Sequence, residues 1–306
     1  MDPWADFTRA IIGEPELTPA EVAAAAGIDL ADARRLWRAL GFSPVPDDQR
    51  FFTASDVEVL HAVLALRARA TIDPAVVVQL ARATGQAAAR LAEAQVAVAS
   101  DQLTPATHEL VPILERFLTH VWRRHLLAAG LRQATSGAGA AAGGRTLVVG
   151  FADLVGFTAL SQQLDDRELA ALIDRFEALV FEHVPEHRGR VVKMIGDEVL
   201  FSAETPVDAA EIALSLVASH HADPALPDLR VGLSMGPVLS WEGDLLGPTV
   251  NRASRIVALA REATVVVSGE LAEQLRPNDA YVLRDMRPVK LRGIGRVPLS
   301  ALRRAR

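Results

Sequence analysis

Residues 134–144 read Ala-Thr-Ser-Gly-Ala-Gly-Ala-Ala-Ala-Gly-Gly, and no other stretch constrains the fold of this chain as strongly. A run without one large apolar side chain has nothing to bury. Its glycines also lose the most backbone freedom on ordering. Such a segment reads as a flexible linker and divides the chain into parts that must each find their own core. The expected organisation is a domain over 1–133, a linker over 134–145 and a second domain over 146–306. Charge changes at the same place. Residues 1–120 hold 16 acids and 10 Lys/Arg, whereas 121–145 hold four arginines and no acid. Residues 146–306 return to 22 acids against 18 bases.

Before the linker the pattern is all-helical. Thr18-Pro19-Ala20-Glu21 has an N-cap, a first-position proline and a first-turn acid, and Gly27 closes that helix. A second helix is expected from Asp29 to Leu40 and a third from Thr53 or Ser55 to about Ala68. Asp73-Pro74 opens a fourth, followed by a further alanine-rich helix through Ala99. The last is expected to open at Thr104-Pro105 and to continue to Leu131. The pair around Gly27 resembles a helix-turn-helix. The net charge of −6 over residues 1–120 opposes DNA binding, because phosphate contacts require a basic face. No nucleic-acid partner is expected.

After the linker, strands and helices alternate. A buried strand is expected over 146–152, an amphipathic helix over 164–185 and two strands around the Ile195-Gly196-Asp197 turn. A helix over 206–221 and a strand over 229–234 complete the order β-α-β-β-α-β, a ferredoxin-like α+β core. A further helix near 250–263, a strand over 264–267 and two C-terminal strands follow. In this arrangement the first hairpin strand is expected beside the opening strand. That adjacency would bring Asp153, just past the opening strand, toward Asp197 in the hairpin turn. Magnesium takes oxygen ligands, commonly one or two carboxylates plus substrate phosphates. Taken singly, either acid reads equally well as a turn residue.

Three segments together carry a resemblance. Phe151-Ala-Asp153-Leu-Val-Gly-Phe-Thr158, Val192-Lys193-Met-Ile-Gly-Asp197-Glu-Val-Leu-Phe201 and Gly243-Asp244-Leu-Leu-Gly247-Pro-Thr-Val250-Asn251-Arg-Ala-Ser-Arg255 occur in that order. They resemble the two metal motifs and the substrate segment of the class III adenylyl cyclases, bacterial and mycobacterial members among them. The resemblance implies that Asp153 and Asp197 hold two divalent ions, Mg²⁺ or Mn²⁺. It implies that Lys193 and Asp244 read adenine, and that Asn251 and Arg255 serve the transition state. Arg292, or failing it Lys290, would meet the terminal phosphates. Lysine can donate to adenine N1 and aspartate can accept from its 6-amino group, whereas guanine reverses that edge. The implied reaction turns ATP into 3′,5′-cyclic AMP and pyrophosphate in a head-to-tail homodimer, with its sites at the subunit interface. The helical domain would be regulatory, and His108, His120 and His125 make a pH-linked version attractive.

A guanylyl cyclase is the nearer alternative, opposed by Lys193 and Asp244. The other is a catalytically silent nucleotide sensor with a DNA-binding helix-turn-helix, which would lack one of the motif residues; none is missing. Gly196-Asp197-Glu198 partly mimics a diguanylate cyclase signature, but Ile195 and Val199 depart from it. The chain has no cysteine, which excludes disulfides, thiolate metal sites and a cysteine nucleophile. It shows no signal-peptide pattern and no apolar run long enough to span a membrane. A cytoplasmic location is the expectation.

Overall fold

The structure is a computed structural model and describes residues 8–9, 11–69, 73–99, 109–135, 145–218, 223, 225–291 and 293–305. Two compact units emerge, Met1–Arg132 and Gln133–Arg306.

In the first unit α1 (Pro19–Ala26) and α2 (Leu30–Ala39) are joined at Gly27, whose φ of 71° is left-handed. Thr18 and Glu21 form a reciprocal capping box, which satisfies two backbone donors at the start of α1. Helix α3 spans Ala54–Arg69. Val22, Ala23, Ala26, Ala33, Trp37, Phe52 and Leu60 make the small core, in which Trp37 stacks on Phe52 at 4.4 Å. The expected break in the alanine-rich stretch is absent: α4 runs from Pro74 to Ala99. Gly85 lies inside it, where an added Cβ would stand 2.2 Å from the Leu40 carbonyl oxygen. Glycine is needed there for a close crossing and does not end the helix. Helix α5 spans Val111–Thr135, beyond the expected Leu131, and none of its described residues is buried. Thr104-Pro105, His108 and residues 136–144 lie outside the described residues. Among the described residues no helix is long and apolar enough to cross a membrane.

The second unit begins with β1 (Arg145–Leu154), a short helix α6 (Phe157–Ser161) and α7 (Asp166–Glu186). The hairpin β2 (Arg190–Ile195) and β3 (Glu198–Ala203) leads to α8 (Pro206–Ala218) and β4 (Leu229–Trp241). Then come β5 (Asp244–Leu246), α9 (Pro248–Val257), β6 (Thr264–Ser268), α10 (Gly269–Leu275) and β7 (Tyr281–Asp285). A small hairpin, β8 (Val289–Leu291) with β9 (Gly295–Val297), precedes β10 (Leu299–Arg304). The main sheet is ordered β2-β3-β1-β4-β6-β10-β7, and β5 pairs with β4.

This order confirms the β-α-β-β-α-β core and corrects one neighbour. The strand beside β1 is β3, not β2. A helical crossover from β1 to a parallel β2 leaves room for one strand between them, and the returning hairpin strand fills it antiparallel to both. The C-terminal end carries four strands, two more than expected; β8 and β9 are only three residues each, too short for a periodic signal.

Strand β1 is buried on both faces. Val148, Ala152 and Leu154 face a core built with Phe176 and Val180 of α7 and Ile212 and Leu216 of α8. Leu147, Val149 and Phe151 face a second core closed by Ala253 and Val257 of α9. Helices on both sides of β1 thus explain its unbroken apolar run. Asp165 and Glu168 cap α7 reciprocally, which fixes where that helix starts under the sheet.

Candidate active site

Asp153 stands at the end of β1, opposite Glu198 of β3 on one side and Arg230 of β4 on the other. One cross-strand row therefore holds two acids and a guanidinium. Arg230 donates to Oδ2 of Asp153, at 2.6 Å from Nε and 2.5 Å from Nη2. Asp197 reaches the same place through the β2–β3 turn. Gly196 supplies its left-handed residue, φ 63°, and the Leu154 amide donates to the Asp197 carbonyl at 3.1 Å. The hairpin turn is thereby tied to the end of β1.

The electrostatics match a site that wants cations. Burial, and then the charge of Asp153, push Asp197 above the usual carboxylate range. Burial, followed by Asp153 and Asp197, pushes Glu198 to about 7. Among the described residues no group of three or more His, Asp or Glu side chains is placed to hold a metal ion. An open carboxylate cluster is the donor set that Mg²⁺ or Mn²⁺ uses when substrate phosphates complete the shell.

Lys193 and Asp244 are brought together as an ion pair between β2 and β5. Asp244 also accepts the Leu245 amide through Oδ1 at 2.7 Å. Burial raises its pKa, but hydrogen bonds from Lys193 and Leu245 outweigh this, and the carboxyl ends below its usual range. Asp244 follows a two-residue turn closed by the pair Trp241↔Asp244.

Asn251 and Arg255 lie one turn apart on α9, the first exposed and the second half-buried. Pro248 starts the helix, and the Thr249 hydroxyl donates to the Pro237 carbonyl at 2.7 Å, which pins the helix start to β4. Further along, a Cβ on Gly232 would sit 2.3 Å from the Val257 amide nitrogen. Glycine there lets α9 lie directly on β4. Arg292 falls outside the described residues; Lys290 is exposed on β8 opposite Arg296. Of the histidines, His187 bonds the Ser215 hydroxyl at 3.1 Å, a contact between α7 and α8 away from these groups.

A family model for the adenylate and guanylate cyclase catalytic domain matches residues 144–302. An adenylate cyclase of Streptomyces coelicolor is 39% identical over 87% of this chain and 74% of its own length. The chain belongs to the class III adenylate cyclases. A second adenylate cyclase, from Glutamicibacter nicotianae, is 37% identical over 94% of this chain and 78% of its own. The solved adenylyl cyclase CyaB of P. aeruginosa aligns at 21% identity and a TM-score of 0.47, over 53% of this chain and 95% of that one.

Two groups in this cyclase were missed from the sequence. Glu198 follows Asp197 directly, yet only the β1–β3 register shows that it also faces Asp153. Arg230 lies 77 positions from Asp153. No short motif contains both, so only the pairing of β4 with β1 could reveal the contact.

Proposed function

We propose that this cyclase converts ATP to 3′,5′-cyclic AMP and pyrophosphate. The observation that carries the reading is the Lys193–Asp244 pair, a donor beside an acceptor on neighbouring elements. That order complements adenine N1 and its 6-amino group and mismatches guanine. A guanylyl cyclase would need the opposite pattern.

Asp153 and Asp197 would hold two divalent cations, Mg²⁺ or Mn²⁺, which when bound lower the cost of ionising the 3′-hydroxyl and neutralise the triphosphate. The residues of this chain position the rest. Lys193 and Asp244 orient the purine, and Asn251 orients the ribose so that its 3′-oxygen lies in line with the α-phosphorus. The 3′-oxygen then bonds to that phosphorus as the bond to the pyrophosphate oxygen breaks. Arg255 offsets the charge gathering on the α-phosphoryl oxygens. Arg292 is the proposed contact to the leaving phosphates.

The catalytic unit is proposed to act as a head-to-tail homodimer, the metal acids of one copy facing Lys193, Asp244, Asn251 and Arg255 of the other. Exposed apolar side chains near the base-reading pair support this. Ile195, Leu239, Trp241 and Leu246 are 44, 55, 48 and 43% exposed, more than a finished surface tends to leave in one place. Residues 1–133 are proposed to regulate this dimer through the segment from Thr104 to Gly144.

The test is complementation. Asp153→Ala and Asn251→Ala chains should each lose at least about a hundredfold in rate. Mixing them should restore activity, because one site per mixed dimer is intact. Two inactive parents that stay inactive together, under conditions where they exchange subunits, contradict the shared site.

A further inference from the structure

The base-reading pair depends on two backbone irregularities and one side chain that joins them. The first irregularity lies in β2. Arg190 pairs with Ser202 and Val191 with Phe201, but the next pairs are Lys193 with Leu200 and Met194 with Val199, so Val192 is skipped. This is a β-bulge, in which two residues oppose one and side chains downstream are re-aimed. Val191 and Met194 pack on the α7 side of the sheet, while Val192 packs with Leu200 in the core beneath α9. Without the bulge, Arg190 and Lys193, three apart, would point to opposite faces. With it they share the face on which β5 lies.

The second irregularity is the β4–β5 turn. Glu242 and Gly243 both have positive φ, 50° and 86°. That is the pattern of a tight two-residue hairpin, and it is strained at Glu242, which has a side chain. A strained turn holds its geometry only when its surroundings over-determine it. Arg190 supplies such a contact: its Nη1 donates to the Gly243 carbonyl at 3.3 Å. One strand, β2, thus grips the hairpin twice, at Gly243 through Arg190 and at Asp244 through Lys193. Burial opposes ionisation of Asp244; the Lys193 and Leu245 contacts, and after them the Arg190 charge, hold it ionised.

We propose that Arg190 is a positioning residue for purine selection: it latches the β4–β5 turn to β2 so that Asp244 and Lys193 present one fixed acceptor–donor pair to the base. The inference rests on the reading of that pair as the adenine site, and deepens it. In this role Arg190 acts through Gly243 and Asp244. Its loss should leave the pair present but free to move, so that adenine and guanine are told apart less well.

The experiment is titration calorimetry of the full chain with 3′-deoxy-ATP and 3′-deoxy-GTP, which cannot cyclise, in the presence of Mn²⁺. The unaltered chain should prefer the adenine nucleotide. Arg190→Ala should cut that preference by about tenfold. Arg190→Lys, which can still donate to the Gly243 carbonyl, should keep most of it. A preference retained in Arg190→Ala overturns the latch alone. An unaltered chain with no preference overturns the adenine reading and the latch together. Equal loss in both variants with a lowered unfolding temperature marks general damage to the hairpin and also contradicts the assignment.

Discussion

The two units differ most in how completely they bury themselves. In the catalytic unit the largest side chains are sealed: Phe176 and Phe201 are 0% exposed, and β1 is covered on both faces. Among the described residues of the first unit the core cluster is seven residues, and the long helix α5 leaves Ile113, Phe117, Trp122 and Leu131 at 63, 65, 56 and 59% exposed. Full burial of a large apolar side chain stabilises by about 1.5–3 kcal/mol, so α5 forgoes most of what its sequence could contribute. A helix in that condition is held by propensity and its ends more than by packing, and such elements open first. The comparison separates a part built to hold site residues rigidly from a part whose packing is unfinished within one chain.

The two units should differ most at one phenylalanine in each. Phe176→Ala should cost the catalytic unit about 3–5 kcal/mol, because it empties a fully enclosed space. Phe117→Ala should stay within about 0.5 kcal/mol in dilute chain. Urea unfolding of both variants checks this. A large loss for Phe117→Ala that grows with protein concentration would mean that α5 is covered by another copy. Next in size is Gly232→Ala. Its methyl must push α9 off β4, and overpacking of this kind costs about 1–3 kcal/mol. Activity should fall further than stability, since Asn251 and Arg255 ride on that helix; normal turnover in a stably folded Gly232→Ala chain would show that the seating of α9 is not limiting.

The smallest expected effect concerns pH. Glu198 is held protonated up to about 7 in the folded chain against a usual value of 4.5. The folded state therefore binds this proton more tightly than the unfolded state does. Its contribution to stability is full below the unfolded value and is lost as pH rises through about 7. Unfolding temperatures of chelator-treated protein should decline across that window, and Glu198→Gln should flatten the decline. A slope unchanged by the substitution would place its origin elsewhere. The first unit provides the contrast, because Glu21 is lowered by its cap contacts with Thr18 and contributes in the opposite sense.

Local features of the chain were legible, and long-range ones were not. Thr18 with Glu21 announced a capped helix, and α1 has that capping box. The order of elements in the catalytic core followed from alternating patterns. What stayed hidden depended on pairing between distant strands. The placement of β3 beside β1, the row Glu198–Asp153–Arg230 and the bulge between Val191 and Lys193 are properties of register, which no single segment encodes. Gly85 shows the same limit: a helical glycine marks either an end or a close crossing, and only the position of Leu40 distinguishes them.

On this reading the well-packed unit is a working, adenine-selective cyclase. The most direct measurement incubates the full chain with ATP or GTP and Mn²⁺ or Mg²⁺ and separates the products. Cyclic AMP and pyrophosphate should form in equal amounts from ATP, with far less cyclic GMP from GTP, and Asp153→Ala should abolish both. Cyclic GMP formed as fast as cyclic AMP, or no cyclic product from either nucleotide with either metal, would contradict the account.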